Sequence, residues 1–205
     1  MTSPNSLLKL PVQLVLASQS PRRRQLLEQV GFEFTAIAPN INEDIIEPIA
    51  PFDQYVQRLA EMKAAEGLRM VGADAIVIGS DTTVVLDGRV LNKPSSKQQA
   101  SEMLRALSNR THTVFTGLAL AWQVGGVTCF TATHSATQVT FRELSSIEID
   151  AYVEGGSPMD KAGAYGIQDD FGAVFVQSIH GCYYTVVGLP IEKLYTMLRK
   201  VAEQT

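Results

Sequence analysis

Three consecutive arginines, Arg22–Arg24, stand where a helix is predicted to begin. The apolar run VQLVLAS at 12–18 predicts a buried strand, and Ser20 and Pro21 are typical of a helix cap and a first helical residue. Cations are unfavourable at the partly positive start of a helix. The pattern therefore indicates either a solvated helix start or a phosphate site, in which helix N–H groups and arginines hold the anion. Successive helical residues are about 100° apart, so at least one arginine should face solvent.

An acidic residue follows a second predicted buried strand. The run AIVIG at 75–79 leads through Ser80 to Asp81. Acids often end turns, but the carboxyl end of a buried strand is also where α/β proteins place ligand chemistry. There Asp81 would accept a proton from water or bind a divalent metal. Glu43 would add a second oxygen ligand of the kind Mg²⁺ prefers, although its neighbour Asp44 is an alternative.

Two lysines and one glutamine complete the candidate set. Lys63 borders the apolar face of a predicted helix, and Lys93 ends a hairpin whose predicted turn is Asp87-Gly88. Both lysines are either solvated or cationic partners of a phosphate. Gln168 ends the segment DKAGAYGIQ, and its amide both donates and accepts hydrogen bonds. It would therefore read the imide edge of uracil or thymine, whereas the alternative is a plain glycine-rich loop.

The elements that position these residues alternate between strands and helices. Alternation predicts an α/β fold, and the hairpins favour a mixed sheet. The Ser145/Glu148 capping box and Pro190 each indicate a helix start. Strands are predicted in 12–18, 32–38, 75–79, 83–86, 89–92, 112–122 and 130–141 and twice in 172–190, and helices from 21, 52, 97, 146 and 190. We expect one domain over residues 1–205, with residues 1–10 as a flexible arm.

Composition narrows the class of protein. The chain has 205 residues, 45% hydrophobic and 19% charged, which is typical of a soluble domain. A net charge of -4 argues against binding a nucleic acid polymer or an anionic membrane. No apolar run approaches the roughly 18 residues of a membrane span, and no signal peptide is indicated. Cys129 and Cys182 form no CxxC motif, which favours a reducing cytoplasm.

Five motifs, taken in order, resemble the Maf family of nucleotide pyrophosphatases: LASQSPRRRQLL, YVQRLAEMKA, GSDTTVVLDGRVLNKP, DKAGAYGIQ and VVGLP. The SPRR form, Thr82 and AYGIQ resemble the branch that acts on dTTP and UTP. The resemblance implies a mixed, elongated sheet flanked by helices with a cleft between two lobes, as in inosine triphosphate pyrophosphatases. It further implies a homodimer, a nucleoside triphosphate substrate, and a divalent cation such as Mg²⁺, Mn²⁺ or Co²⁺. Water would attack the α-phosphorus to give the monophosphate and pyrophosphate.

The resemblance also implies roles for individual residues. Asp81 matches the proton acceptor and, with Glu43, the metal site. The substrate-selecting positions match Arg22, Thr82 and Gln168, and the phosphate-lining positions match Ser20, Arg23, Lys63 and Lys93. Two departures from the family pattern stand out: GSD replaces the common GAD at Ser80, and two acids, Asp169 and Asp170, follow Gln168.

Two alternatives stay open. One is the same chemistry on 7-methyl-GTP or another non-standard purine triphosphate. Arg22 and Gln168 argue against it, since a methylated purine favours an aromatic stacking surface, and the sister branch has Trp where this chain has Arg22. The other is a nucleotide-binding regulator of septum formation and cell division with little turnover. The intact set of acids and lysines argues against that reading.

Overall fold

The described residues of the protein form a mixed seven-stranded sheet flanked by helices. The computed structural model describes residues 3–42, 51–168 and 171–203. Along the described residues, the order of strands in the sheet is β2-β1-β3-β5-β6-β7, with β4 paired to β3. The helices are α1 (Pro4–Leu8), α2 (Pro21–Val30), α3 (Phe52–Val71), α4 (Lys97–Leu107), α5 (Ser146–Glu154), α6 (Tyr183–Val187) and α7 (Ile191–Ala202). The strands are β1 (Gln13–Ala17), β2 (Thr35–Ile37), β3 (Ala75–Leu86), β4 (Arg89–Leu91), β5 (Thr111–Val124), β6 (Val127–Phe141) and β7 (Val176–His180). The predicted α/β class is confirmed.

The chain divides into two compact units. Unit 1 comprises Met1–Asp81, Thr116–His134 and Gly188–Thr205, and unit 2 comprises Thr82–Phe115 and Ser135–Val187. The strands β3, β5 and β6 contribute residues to both units. The predicted residues Glu43, Asp44, Asp169 and Asp170 lie outside the described part of the chain.

Unit 1 is built from small side chains that let a helix lie very close to the sheet. Strand β1 runs parallel to both β2 and β3. A core of mostly alanine and valine joins these strands to α3. A Cβ added at Gly79 would lie 2.1 Å from the carbonyl oxygen of Ala60, and one at Gly117 would lie 2.1 Å from that of Val56. Helix α3 therefore contacts β3 and β5 backbone to backbone.

Unit 2 has an aromatic core instead. Phe141 and Phe175 are fully buried, and Tyr165 packs edge-on against Phe141 with ring centroids 4.7 Å apart. His112 on β5 packs edge-on against the same Phe141 ring. Tyr152 on α5 packs edge-on against Phe175. These rings fix the short turns between α5 and β7 against the sheet.

Local sequence signals located most elements correctly. Helix α2 begins at Pro21 and ends at Gly31, whose φ of 85° is the left-handed value that glycine adopts easily. The predicted turn at Asp87 and Gly88 and the capping box of α5 are both confirmed. The described residues contain no helix with the length and apolarity needed to cross a membrane.

One predicted strand is a helix in the structure, and a short helix lies within the predicted arm. The second strand predicted in 172–190 is wrong, because Tyr183–Val187 is helical. Thr185 is fully buried there, and its hydroxyl bonds the Ser135 hydroxyl at 2.9 Å, so tertiary contact overrides the β-propensity of YYTVV. Helix α1 lies in the expected flexible arm, and two hydrogen bonds join Asn5 to the backbone of Glu33.

Candidate active site

A buried lysine–aspartate pair lies in unit 1. Lys63 lies on α3 between Ala60 and Ala64, the two residues that contact Gly79. Because Asp81 follows Gly79 by two positions on β3, the close approach of helix and strand brings the two side chains together. The Lys63 Nζ donates to the Asp81 Oδ1 at 2.6 Å. Lys63 is 9% exposed and Asp81 8% exposed.

This pairing makes a buried charge on Asp81 tolerable. An unpaired carboxylate would lose several kcal/mol of solvation on burial, and removing one partner of such a pair costs about 3–5 kcal/mol. The lysine bonds Oδ1, which leaves the second oxygen, Oδ2, for another ligand. The pair therefore combines a fixed acceptor with a fixed cation in one place.

The three arginines of α2 point in different directions. Arg24 is exposed, Arg22 is half-buried and Arg23 is 9% exposed. The prediction that at least one faces solvent is confirmed by Arg24. Arg23 donates from Nε to the carbonyl oxygen of Gly188 at 2.8 Å and from Nη1 to the Ser18 hydroxyl at 3.0 Å. These two bonds fix the plane of its guanidinium group.

The Gly188 carbonyl joins the arginine to the strand that carries Asp81. The hydroxyl of Ser80 lies 3.0 Å from this carbonyl oxygen and 2.9 Å from that of Gly117. Ser80 is fully buried and immediately precedes Asp81. Since Ala17 pairs with Gly79 in the parallel register of β1 and β3, Ser18 and Ser80 follow matching positions on neighbouring strands. One network thus fixes both the guanidinium and the middle of β3, where Asp81 lies instead of at the predicted strand end.

The prediction that the Ser20 side chain caps α2 is wrong. Ser20 precedes α2, but its side chain makes no capping hydrogen bond within the described chain. Instead its backbone N–H donates to the Ser18 hydroxyl at 3.2 Å. Ser18, Ser80 and Gly188 belong to the same hydrogen-bond network but were not predicted as site residues. All three lie inside the quoted motifs LASQS, GSD and VVGLP, which are the signal that could have found them.

Unit 2 carries the other predicted residues. Thr82 directly follows Asp81 on β3 and is half-buried. Lys93 follows β4 and is exposed. Gln168 is half-buried at the end of a segment that starts at Lys161, whose ammonium group contacts the Asp160 carboxylate at 2.7 Å and the Ser157 carbonyl.

The described residues offer a metal ion one predicted ligand. Across 3–42, 51–168 and 171–203, no three side chains of His, Cys, Asp or Glu converge. Of the predicted pair, Asp81 is described and Glu43 is not. The Asp81 carboxylate can coordinate a cation through Oδ2. This fits a hard cation such as Mg²⁺, which typically takes one or two carboxylates plus substrate phosphates.

Comparison with known proteins assigns the family. The model of the family described as Maf-like protein matches residues 13–201. The chain belongs to the Maf family. A relative from Salmonella typhimurium named dTTP/UTP pyrophosphatase is 48% identical over 90% of this chain and 91% of its own. Relatives with the same name from Vibrio cholerae and Bacillus pumilus are 47% and 46% identical, over 91% of this chain and 97% and 95% of theirs.

A solved structure supports the fold alone. The HAM1 protein from Coxiella burnetii matches with a TM-score of 0.51 at 16% identity, over 92% of this chain and 99% of that one. The family model and the curated relatives confirm the predicted Maf resemblance over nearly the whole chain. Among the residues of the Maf motifs, unit 1 contains Ser20, Arg22, Arg23, Lys63 and Asp81, and unit 2 contains Thr82, Lys93 and Gln168.

Proposed function

We propose that this Maf protein is a nucleoside triphosphate pyrophosphatase that hydrolyses dTTP and UTP to the monophosphate and pyrophosphate. The observation that carries the proposal is the name dTTP/UTP pyrophosphatase shared by relatives that are 46–48% identical over nine-tenths of the chain. In the buried pair of Lys63 and Asp81, the Asp81 carboxylate supplies the proton acceptor that such a hydrolysis needs.

In the proposed reaction, Asp81 accepts a proton from the attacking water. The water oxygen bonds the α-phosphorus, and the bond from that phosphorus to the oxygen of the pyrophosphate group breaks. Lys63 holds Oδ1 of Asp81 at 2.6 Å, so Oδ2 is the oxygen that faces the water. General-base catalysis of this kind contributes about 10²–10⁴-fold to the rate.

We assign phosphate binding to the start of α2 and to the lysines. Arg23 is fixed by Gly188 and Ser18, so its guanidinium is oriented before substrate arrives. An oriented guanidinium loses less entropy on binding phosphate than a mobile one does. Ser20, at the end of the same loop, adds its hydroxyl group, while Lys63 and Lys93 add charge that offsets the growing charge on pyrophosphate.

Base selection is assigned to Arg22, Thr82 and Gln168. Uracil and thymine present an N3–H donor beside an O4 acceptor, whereas cytosine presents an acceptor beside an amino group. The Gln168 amide can match the first pattern with one donor and one acceptor.

The proposed cofactor is a divalent cation, with Mg²⁺ as the first choice and Mn²⁺ or Co²⁺ as substitutes. Asp81 would hold it together with the phosphates of the substrate, and Glu43 is the proposed second ligand. When bound, such an ion neutralises charge on the phosphate oxygens. We also propose a homodimer, which light scattering would test, and a cytoplasmic location, where nucleoside triphosphates are abundant.

A panel of triphosphates tests the proposal directly. Pyrophosphate release is measured with Mg²⁺ from dTTP, UTP, CTP, 7-methyl-GTP, ITP, ATP and GTP. Release from dTTP and UTP well above the others is the expected result. Release mainly from 7-methyl-GTP or another purine would keep the chemistry and overturn the assigned specificity. Tight binding of nucleotides without release, with any of the three metals, would favour the septum-regulator alternative.

A further inference from the structure

Base selection by a glutamine requires more than the glutamine itself. A rotation of 180° about the last side-chain bond exchanges the donor and acceptor of the amide, which would then match cytosine instead of uracil. Discrimination therefore depends on how firmly the surrounding chain holds Gln168. The segment before it, Lys161–Ile167, sets the backbone position of Gln168 and so contributes to this support.

The structure holds this segment in a conformation that the chain would not adopt alone. Gly163 and Ala164 have φ values of 69° and 60°, so two successive residues lie in the left-handed region. This conformation is costly for alanine, which has a Cβ. A Cβ at Gly163 would also lie 3.0 Å from the Val84 side chain. Contacts from outside the segment must offset this strain.

Two tyrosine hydroxyls provide such contacts. The Tyr152 hydroxyl, from α5, accepts a hydrogen bond from the N–H of Gly166 at 3.2 Å. The Tyr165 hydroxyl, from the segment itself, lies 2.8 Å from Nε2 of His112 on β5. Gly166 and Tyr165 are two and three positions before Gln168, so both bonds act close to it.

The His112–Tyr165 bond is expensive to keep in a core. Both side chains are almost completely buried. In the described structure, Nδ1 of His112 is buried with no hydrogen-bond partner. A neutral imidazole has one donor and one acceptor, so one of its two nitrogens is left unsatisfied whichever tautomer is present. A purely apolar pair would fill the same space without this cost.

We propose that Tyr152, Tyr165 and His112 are positioning residues that fix Gln168 for base selection. The inference rests on the base-reading role assigned to Gln168. None of the three is assigned contact with the base. They hold the backbone of the segment so that the Gln168 amide meets the base in one orientation.

The variants Tyr152→Phe and Tyr165→Phe test this, because each removes a single hydroxyl and keeps the ring that packs in the core. Tyr195→Phe on α7, in unit 1, is the matched control. The ratio of kcat/KM for UTP to that for CTP should fall about five- to tenfold in both variants, the effect of one hydrogen bond. Inhibition by inorganic pyrophosphate, which has no base, should stay within about twofold of wild type. His112→Phe should act like Tyr165→Phe, and His112→Gln, which keeps a polar group, should lose less selectivity.

Hydrogen exchange provides a readout that does not need turnover. Amides of residues 163–168 should exchange at least about tenfold faster in Tyr152→Phe than in wild type or Tyr195→Phe. Unchanged exchange, or an equal fall in kcat/KM for UTP and CTP, would overturn the positioning role. A wild-type protein without preference for UTP would overturn the proposed specificity instead, and the exchange measurement would still decide whether the hydroxyls hold the segment.

Discussion

Lowering the pH should destabilise the protein through one buried imidazole. Burial lowers the pKa of His112 to about 4, from an ordinary value of 6.5. The folded protein therefore binds this proton less readily than the unfolded chain does between these two values. Stability due to the neutral imidazole is complete above about pH 6.5 and is lost as the pH falls toward 4.

The size of the effect follows from the two pKa values. Each unit of difference corresponds to about 1.4 kcal/mol, so the full loss is about 3 kcal/mol. At pH 5 the unfolded histidine is almost fully protonated and the folded one is mostly neutral. The free energy of unfolding should then be about 2 kcal/mol lower than at pH 7.5 from this residue alone.

Urea unfolding of wild type, His112→Gln and His180→Gln at pH 7.5 and 5.0 measures this term. His180 is exposed on β7, so the same substitution there is a matched control. The loss of unfolding free energy between the two pH values should be about 2 kcal/mol smaller in His112→Gln than in wild type or His180→Gln. Equal losses in all three proteins would show that burial of His112 does not oppose its protonation, and would refute the reasoning.

Three further outcomes are expected. Asp81→Asn should lower kcat about 10²–10⁴-fold while the circular dichroism spectrum stays unchanged. Asp87→Asn, in the exposed hairpin turn, is the control. Near-normal turnover by Asp81→Asn would remove Asp81 from the mechanism. Gly79→Ala should separate α3 from β3 and lower both stability and kcat, because its Cβ would collide with the Ala60 carbonyl; a fully active, equally stable variant would contradict the close packing. A non-hydrolysable dTTP analogue at 100 times its Kd should add about 2.7 kcal/mol, or roughly 5–11 °C in Tm, and an unchanged Tm would count against the site.

Elements whose signals lie close together in sequence were predictable. Pro21 and Gly31 mark the two ends of α2, and Ser145 with Glu148 marks the start of α5. In each case the deciding hydrogen bonds or φ angles are local. Helix α6 was not predictable in this way, since its aromatic and β-branched residues favour a strand and only the burial of Thr185 explains the helix.

The site residues likewise comprise some that local sequence signals predicted and some that depend on distant contacts. Asp81 and the arginines of α2 were identified from residue type and position, although Asp81 lies within β3 and not at the end of a strand. The pairing of Lys63 with Asp81 was not, because it depends on backbone contact at Gly79 and Gly117, which no single segment reveals. The acceptor for Arg23 is a backbone carbonyl 165 positions away, and a carbonyl has no residue type to recognise.

That distant carbonyl has a consequence for biosynthesis. Arg23 leaves the ribosome early, whereas Gly188 follows 165 positions later. Until Gly188 emerges, neither the guanidinium of Arg23 nor the hydroxyl of Ser80 has this shared acceptor. A nascent chain that does not yet include Gly188 therefore contains Asp81 without the oriented guanidinium of Arg23. The proposed phosphate site can therefore be completed only after the segment that contains Gly188 has been synthesised.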